Sequence, residues 1–206
     1  MKQKNIFKDK KVIVFDLDGT IVKLRANWHA LKDVLSQRYA EKNDEQCEFE
    51  SISECLSKLV ENGDEDELQE NFKIIRQYEL ENIIETEIIP EVVDFIKHQE
   101  KFGVMSTVKI AVLSLNTRQT IIESLKIAGI SDCVEKVIGR EDVRSWKPEP
   151  EGLIKLINYF SVSPSDLIFF GDMKKDLKAG EAANVDSYYI DDLIKLVRNY
   201  NNNHII

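Results

Sequence analysis

Cysteine is scarce in this chain: three residues, Cys47, Cys55 and Cys133, in 206. The number is odd and no two form a Cys-x-x-Cys pair, so there is no disulfide framework to read, and buried thiols in a reducing compartment are expected. None is expected to be catalytic. Long apolar runs are also missing. None approaches membrane-spanning length, and Met1-Lys2-Gln3-Lys4-Asn5 leads into too few apolar residues before Asp16 to resemble a signal peptide. The expected location is the cytoplasm, with no membrane partner. Basic residues are in deficit, 28 Lys and Arg against 37 Asp and Glu, for a net charge of −9. That disfavours general binding to nucleic acid or anionic membrane. It does not exclude a small phosphorylated ligand, because a bound cation and a few lysines can reverse the field inside one cleft. Proline is absent before Pro90, and there is no repeat or low-complexity segment.

What the chain does have is concentrated first between Lys11 and Thr20. Val12 to Phe15 is a short β-branched and apolar run, the pattern of a strand buried on both faces. It ends in Asp16-Leu17-Asp18-Gly19-Thr20. Two carboxylates two residues apart at the end of a buried strand repel one another unless a cation neutralises them. Gly19 permits a tight turn, close to a ligand. Alone, these residues would read as an ordinary turn. A calcium loop fits poorly: its glycine would come later, its twelfth position holds Asn27, and a strand leads in.

From about residue 22 to 89 the chain is polar, Glu-rich and helical in period. Trp28, Leu31, Val34, Leu35 and Tyr39 form one apolar series. Ile52, Cys55, Leu56 and Leu59 form a second, and Phe72, Ile75, Tyr78 and Leu80 a third. Asn62-Gly63-Asp64 supplies a helix end followed by an N-cap. Beyond Pro90 helices and strands alternate. Strands are expected at Lys109–Leu113, Val134–Ile138, Leu167–Phe170 and Ser187–Ile190. Helices are expected at Glu91–Gln99, Thr117–Ala128, Glu149–Phe160, Asp176–Ala183 and Asp191–Tyr200, with Asn201 to Asn203 frayed. Such alternation implies an α/β fold, a parallel sheet covered on both faces. The expected domains are 1–21 with 90–206 as the α/β core, and 22–89 as an all-helical insert.

Ligands of such sheets bind beyond the carboxyl ends of the strands. There the first strand delivers Asp16 and Asp18, and the second Ser114, with Asn116 and Thr117 behind it. Another delivers Gly171 and Asp172, with Asp176 four residues on. Lys147 precedes Pro148, which biases it to an extended conformation. Each has a plain structural alternative: a strand-end hydroxyl bonded to backbone, a helix cap, a solvated lysine. Their order after successive strands favours a shared site. Several carboxylates with no His or Cys nearby suit Mg2+. Mg2+ with an ammonium group suits a phosphoryl group. One carboxylate can be the nucleophile and a second the acid and base.

These residues resemble the haloacid-dehalogenase-like (HAD) hydrolase superfamily, in its magnesium-dependent phosphatases. Asp16-Leu17-Asp18-Gly19-Thr20 resembles the first motif, Ser114 the second, Lys147 in Lys-Pro-Glu-Pro the third, and Gly171-Asp172 through Asp176 the fourth. The resemblance covers nearly the whole chain and implies a Rossmann-like doubly wound parallel sheet with an inserted helical cap, as in the phosphoglycolate-phosphatase-like branch. It implies Asp16 as nucleophile and metal ligand, and Asp18 as acid and base whose backbone carbonyl also meets the metal. Asp172 would complete the protein ligands of Mg2+, supported by Asp176 and Gly171. Ser114, Lys147, Thr20 and Asn116 would hold phosphate. Leu115 departs from the pattern, since relatives often have Asn directly after the second-motif hydroxyl. Lys23, Arg25, Trp28, His29 and Arg118 are candidates to face the cleft, against the plainer reading of a solvated helix start.

The implied activity is hydrolysis of a small phosphorylated metabolite through an aspartyl-phosphate. A phosphomutase uses the same four motifs. Dehalogenation would not need Asp18, and phosphonate hydrolysis would need a cap lysine that the sequence does not identify. A non-catalytic HAD-fold binding protein would gain nothing from clustered carboxylates, which destabilise a fold without a metal.

Overall fold

In a computed structural model of the chain, residues 6–43 and 49–203 are described; Cys47 lies outside them. Five parallel strands form the sheet: β1 (Val12–Phe15), β4 (Lys109–Leu113), β5 (Lys136–Ile138), β6 (Leu167–Gly171) and β7 (Asp186–Tyr189). Their spatial order is β5-β4-β1-β6-β7. The chain therefore leaves β1 to one side, fills β4 and β5, and returns to the other side for β6 and β7. β1 lies at that reversal, where a crevice opens beyond the strand ends.

The central strands are buried on both faces, as an apolar run without polar alternation requires. On one face Ile13, Phe15, Ile110, Val112, Ile168 and Phe170 join a core closed by α4 (Pro90–Lys97) and α8 (Ile190–Asn203). On the other, Val12, Val14, Ala111, Leu113, Leu167 and Phe169 pack towards α6 (Glu151–Phe160) and α7 (Lys174–Ala183). α5 (Arg118–Ile127) follows β4, buries Ile121 and Leu125 in the first of these cores, and ends before Gly129, whose φ of 64° suits a residue without Cβ.

Between β1 and β4 three helices form a layer: α1 (Trp28–Asn43), α2 (Ile52–Glu61) and α3 (Glu65–Leu80). The Ser51 side chain accepts from Glu54 N, and that of Asp64 from Glu67 N, so each of the last two helices starts on a side-chain cap. Buried Leu31, Leu35, Leu56, Leu59, Phe72 and Ile75 bind the layer together. The same apolar cluster continues to the sheet, with Phe72 and Trp146 edge to face at 6.5 Å between ring centroids.

The structure amends several expectations. The ends of the inserted segment are not helical: β2 (Val22–Lys23) and β3 (Glu87–Ile88) pair antiparallel as a short ribbon. This neck brings the two crossing strands together, a pairing too short to leave a periodicity in sequence. Asn201 to Asn203 are not frayed but continue α8. Cys55 is buried and Cys133 half-buried. No helix among the described residues is long and apolar enough to cross a membrane.

Candidate active site

Three neighbouring strands end at one place. β1 hands over to Asp16, fixed by Asp16 N donating to Phe170 O at 2.9 Å. β4 on one side ends before Ser114, and β6 on the other ends before Asp172. Carboxylate oxygens of Asp16, Asp172 and Asp176 all lie within 4.8 Å of one another. Asp16 and Asp176 are buried, whereas Asp172 is exposed at the mouth. Lys147, joined to Pro148 by a cis peptide, extends beneath them. Its Nζ is 3.0 Å from Asp16 Oδ1 and 2.5 Å from Asp176 Oδ1. Burial lowers the Lys147 pKa, but Asp16 and Asp176 outweigh that effect, so it stands above its ordinary value and the ammonium stays charged.

Glycine makes the approach possible at two points. Gly19 has φ of +80°, and a Cβ there would sit 2.3 Å from Asp172 Oδ2. A Cβ on Gly171 would sit 2.5 Å from the Asp176 carboxyl carbon. The Asp172 carboxylate therefore rests against bare backbone, where a side chain would displace it.

Asp18 is placed differently. Its Oδ1 accepts from Leu24 N at 2.8 Å, and its carboxylate is outside the three-acid cluster. Burial raises its pKa to about 6; the Leu24 N–H opposes this, while Asp16 and Glu79 add to it. Burial and the neighbouring Asp16 and Asp176 raise Asp172 to about 6 as well. Asp172 is exposed, so solvent screens its interactions with those neighbours.

A cavity of about 310 Å³ opens over these groups, lined on the sheet side by Asp16, Asp18, Ser114 and Asn116, and on the other by Trp28 and Ile52 of the helical layer. Ser114 Oγ donates to Asn116 Oδ1 at 2.8 Å. Thr20 is wholly buried, does not line the cavity, and its hydroxyl has no hydrogen-bond partner among the described residues. Of the cleft-facing candidates only Trp28 lines the cavity. Arg25 pairs with Glu87, His29 with Asp33 at 2.9 Å, Arg118 with Asp142, and Lys23 is exposed beside the neck.

Two residues escaped the sequence reading. Glu79, on α3, is 2% exposed. It accepts from Asn116 Nδ2 at 3.0 Å, Thr117 N at 2.9 Å, and the hydroxyls of Thr117 and Thr120, each at 2.8 Å. A helical-layer acid thus clamps the loop that carries Ser114. Its signal was present: Leu68, Phe72, Ile75 and Glu79 share one buried stripe of α3. The second is Arg140, in the Gly139-Arg140-Glu141 turn after β5. It is 4% exposed, lines the cavity, and left no sequence signal. Lys175 also lines the cavity; burial first, and Lys147 second, lower its pKa.

The three carboxylates, with only oxygen donors, fit a hard divalent cation of the Mg2+ type. Asp16, Asp172 and Asp176 are the side chains that would hold it, and such an ion would supply charge neutralisation to the bound anion.

A doubly wound parallel sheet with clustered acids at its switch point and a helical layer above defines a Rossmann-like α/β architecture with an inserted helical layer. The family model for haloacid dehalogenase-like hydrolases matches residues 13–190, and the chain belongs to that family. Among curated relatives, pyrophosphatase PpaX of Bacillus cereus is 25% identical over 178 residues, covering 83% of this chain and 78% of the relative. Its counterpart in Halalkalibacterium halodurans is 22% identical, covering 84% and 80%. Among solved structures, a haloacid dehalogenase-like hydrolase from Bacteroides fragilis aligns with TM-score 0.58 at 24% identity, covering 86% of each chain. A predicted phosphoglycolate phosphatase from Haemophilus somnus aligns with TM-score 0.59 at 20% identity, covering 89% of each. These structural likenesses are of fold.

Proposed function

We propose that this chain is a Mg2+-dependent phosphatase that hydrolyses a small phosphorylated metabolite through a phosphoryl group carried on Asp16. The observation that carries the reading is the Asp16–Lys147–Asp176 contact beneath the cavity, with Asp172 alongside. A buried ammonium between two carboxylates leaves the acids a residual negative charge that a divalent cation would balance.

In this reading Asp16 attacks phosphorus, and the bond to the leaving oxygen breaks. Asp18, with its pKa near 6, gives that oxygen a proton and then takes one from the water that releases phosphate. Ser114 and the loop held by Glu79 orient the phosphoryl oxygens, and Lys147 keeps Asp16 aligned. A Mg2+ ion held by Asp16, Asp172 and Asp176 would supply charge neutralisation for the bound phosphoryl group. Residues 1–21 and 90–206 form the catalytic core, and 22–89 the cap that excludes water above it. The cavity of about 310 Å³ is at the small end of ligand sites, which favours a compact metabolite. Pyrophosphatase and phosphoglycolate phosphatase names among the similar proteins support phosphate ester or anhydride hydrolysis as the reaction class.

The test is phosphate release from p-nitrophenyl phosphate with and without Mg2+. Metal-dependent turnover, lost in Asp16→Asn, supports the reading. Turnover independent of metal, or retained in Asp16→Asn, refutes it.

A further inference from the structure

Among the described residues, Arg140 is a buried cation without a hydrogen-bonded or ion-pair partner. It is 4% exposed. Among the described residues its Nε and Nη1 have no hydrogen-bond acceptor, and the side chain forms no ion pair. Its main chain, by contrast, is tightly fixed. Arg140 N donates to Asn116 O at 2.8 Å, and Arg140 O accepts from Trp146 Nε1 at 2.9 Å. The guanidinium is thereby attached to the loop that bears Ser114 and Asn116, and it lines the same cavity as Asp16 and Asp18.

Its nearest acids do not satisfy it. Glu79 contributes charge at a distance, yet its oxygens are taken by Asn116, Thr117 and Thr120. Glu141 accepts instead from Arg118 N. A buried guanidinium left without an acceptor costs stability and calls for a compensating anion. Its planar fork matches carboxylate or phosphate oxygens in pairs. Lys175, half-buried on the same cavity and without an ion pair among the described residues, adds positive charge near the mouth. In the proposed reaction the transferring phosphoryl group already has Ser114, the loop held by Glu79 and a cation on the acid cluster to hold it.

We infer that Arg140 anchors a second anion subsite, so that the preferred substrate carries a further carboxylate or phosphate besides the phosphoryl group that is transferred. This rests on the proposed phosphatase activity for which anion reacts, while the subsite itself is tested by binding alone. The cavity then holds a compact two-headed anion: one head over Asp16, the other on Arg140.

The experiment is calorimetric binding, in Mg2+, of three unreactive probes: methylphosphonate, phosphonoacetate and methylene diphosphonate. Wild type is expected to bind at least one two-headed probe about tenfold or more tightly than methylphosphonate. A carboxylate preference appears with phosphonoacetate, a phosphate preference with methylene diphosphonate. In Arg140→Met the gap closes while methylphosphonate affinity stays within about twofold, and the melting temperature holds or rises because an unpaired buried charge is gone. Arg140→Lys retains part of the gap and guards against a folding defect in the first variant. Equal binding of all three probes by wild type, no binding of any, or a gap that persists in Arg140→Met overturns the subsite. Discrimination among probes without turnover of p-nitrophenyl phosphate would leave the subsite standing and defeat the phosphatase reading.

Discussion

Lys147 Nζ lies 2.5 Å from Asp176 Oδ1, and both side chains are almost wholly shielded from solvent. Asp16 completes the triangle at 3.0 Å from the same ammonium. One cation is therefore shared between a strand-end acid near the amino terminus and a helix acid some 160 residues later.

Removing that ammonium should cost the fold before it costs anything else. Lys147→Ala leaves two buried carboxylates uncompensated, a loss of about 3–5 kcal/mol. Part of it should return with Mg2+, which would balance the same charge. Urea denaturation with and without metal measures both. Unchanged stability without metal would mean that the contact is electrostatically idle.

Asp18 predicts a pH signature. Its folded pKa of about 6 is above the ordinary value of 3.8, so between these limits the folded state binds the extra proton. Its contribution to stability is fully present below about pH 4 and is lost as pH rises through about 6. Wild type minus Asp18→Asn, compared by melting temperature without metal, should therefore decline across that window. A difference that grows with pH would reverse the assigned shift. Asp18→Asn should also retain phosphoryl binding while losing most turnover, about a hundredfold or more.

Gly19→Ala tests the cradle around Asp172. The positive φ alone costs about 1–2 kcal/mol, and the new Cβ would meet Asp172 Oδ2 at 2.3 Å. Weaker Mg2+ affinity is expected beyond the loss of stability, measured by metal titration of the folded variant. Metal affinity equal to wild type would show that the position of Asp172 does not matter to the ion.

Glu79→Ala should destabilise by about 3 kcal/mol, since it strands the donors of Asn116, Thr117 and Thr120. Glu79→Gln should recover part, because an amide oxygen can accept some of these bonds. Thermal melts of the two variants decide it; an alanine variant as stable as wild type would leave the clamp without energetic weight.

The three central strands of the sheet were legible because they are short apolar runs that stop at chemistry-bearing residues. Lys109–Leu113 matches the expected strand residue for residue, and Leu167–Gly171 extends it by one. Those signals are local. Glu79 and Arg140 were not found because their roles arise from contacts between distant segments. An arginine in a Gly-Arg-Glu turn reads as solvated until the helical layer covers it, whereas Glu79 shares the apolar stripe of α3 and only its partners were hidden. The β2–β3 neck was invisible for a related reason, since two residues per strand carry no period. The placement of Asp18 outside the acid cluster likewise depends on the Leu24 amide, fixed only once the chain has turned.

The most direct measurement is to find where the phosphoryl group goes. The protein is incubated with Mg2+ and a labelled phosphate ester that it turns over, then quenched in acid and digested. The account predicts label on the peptide containing Asp16, accumulating in Asp18→Asn and absent from Asp16→Asn. Turnover without label on that peptide, or label on another residue, would contradict it.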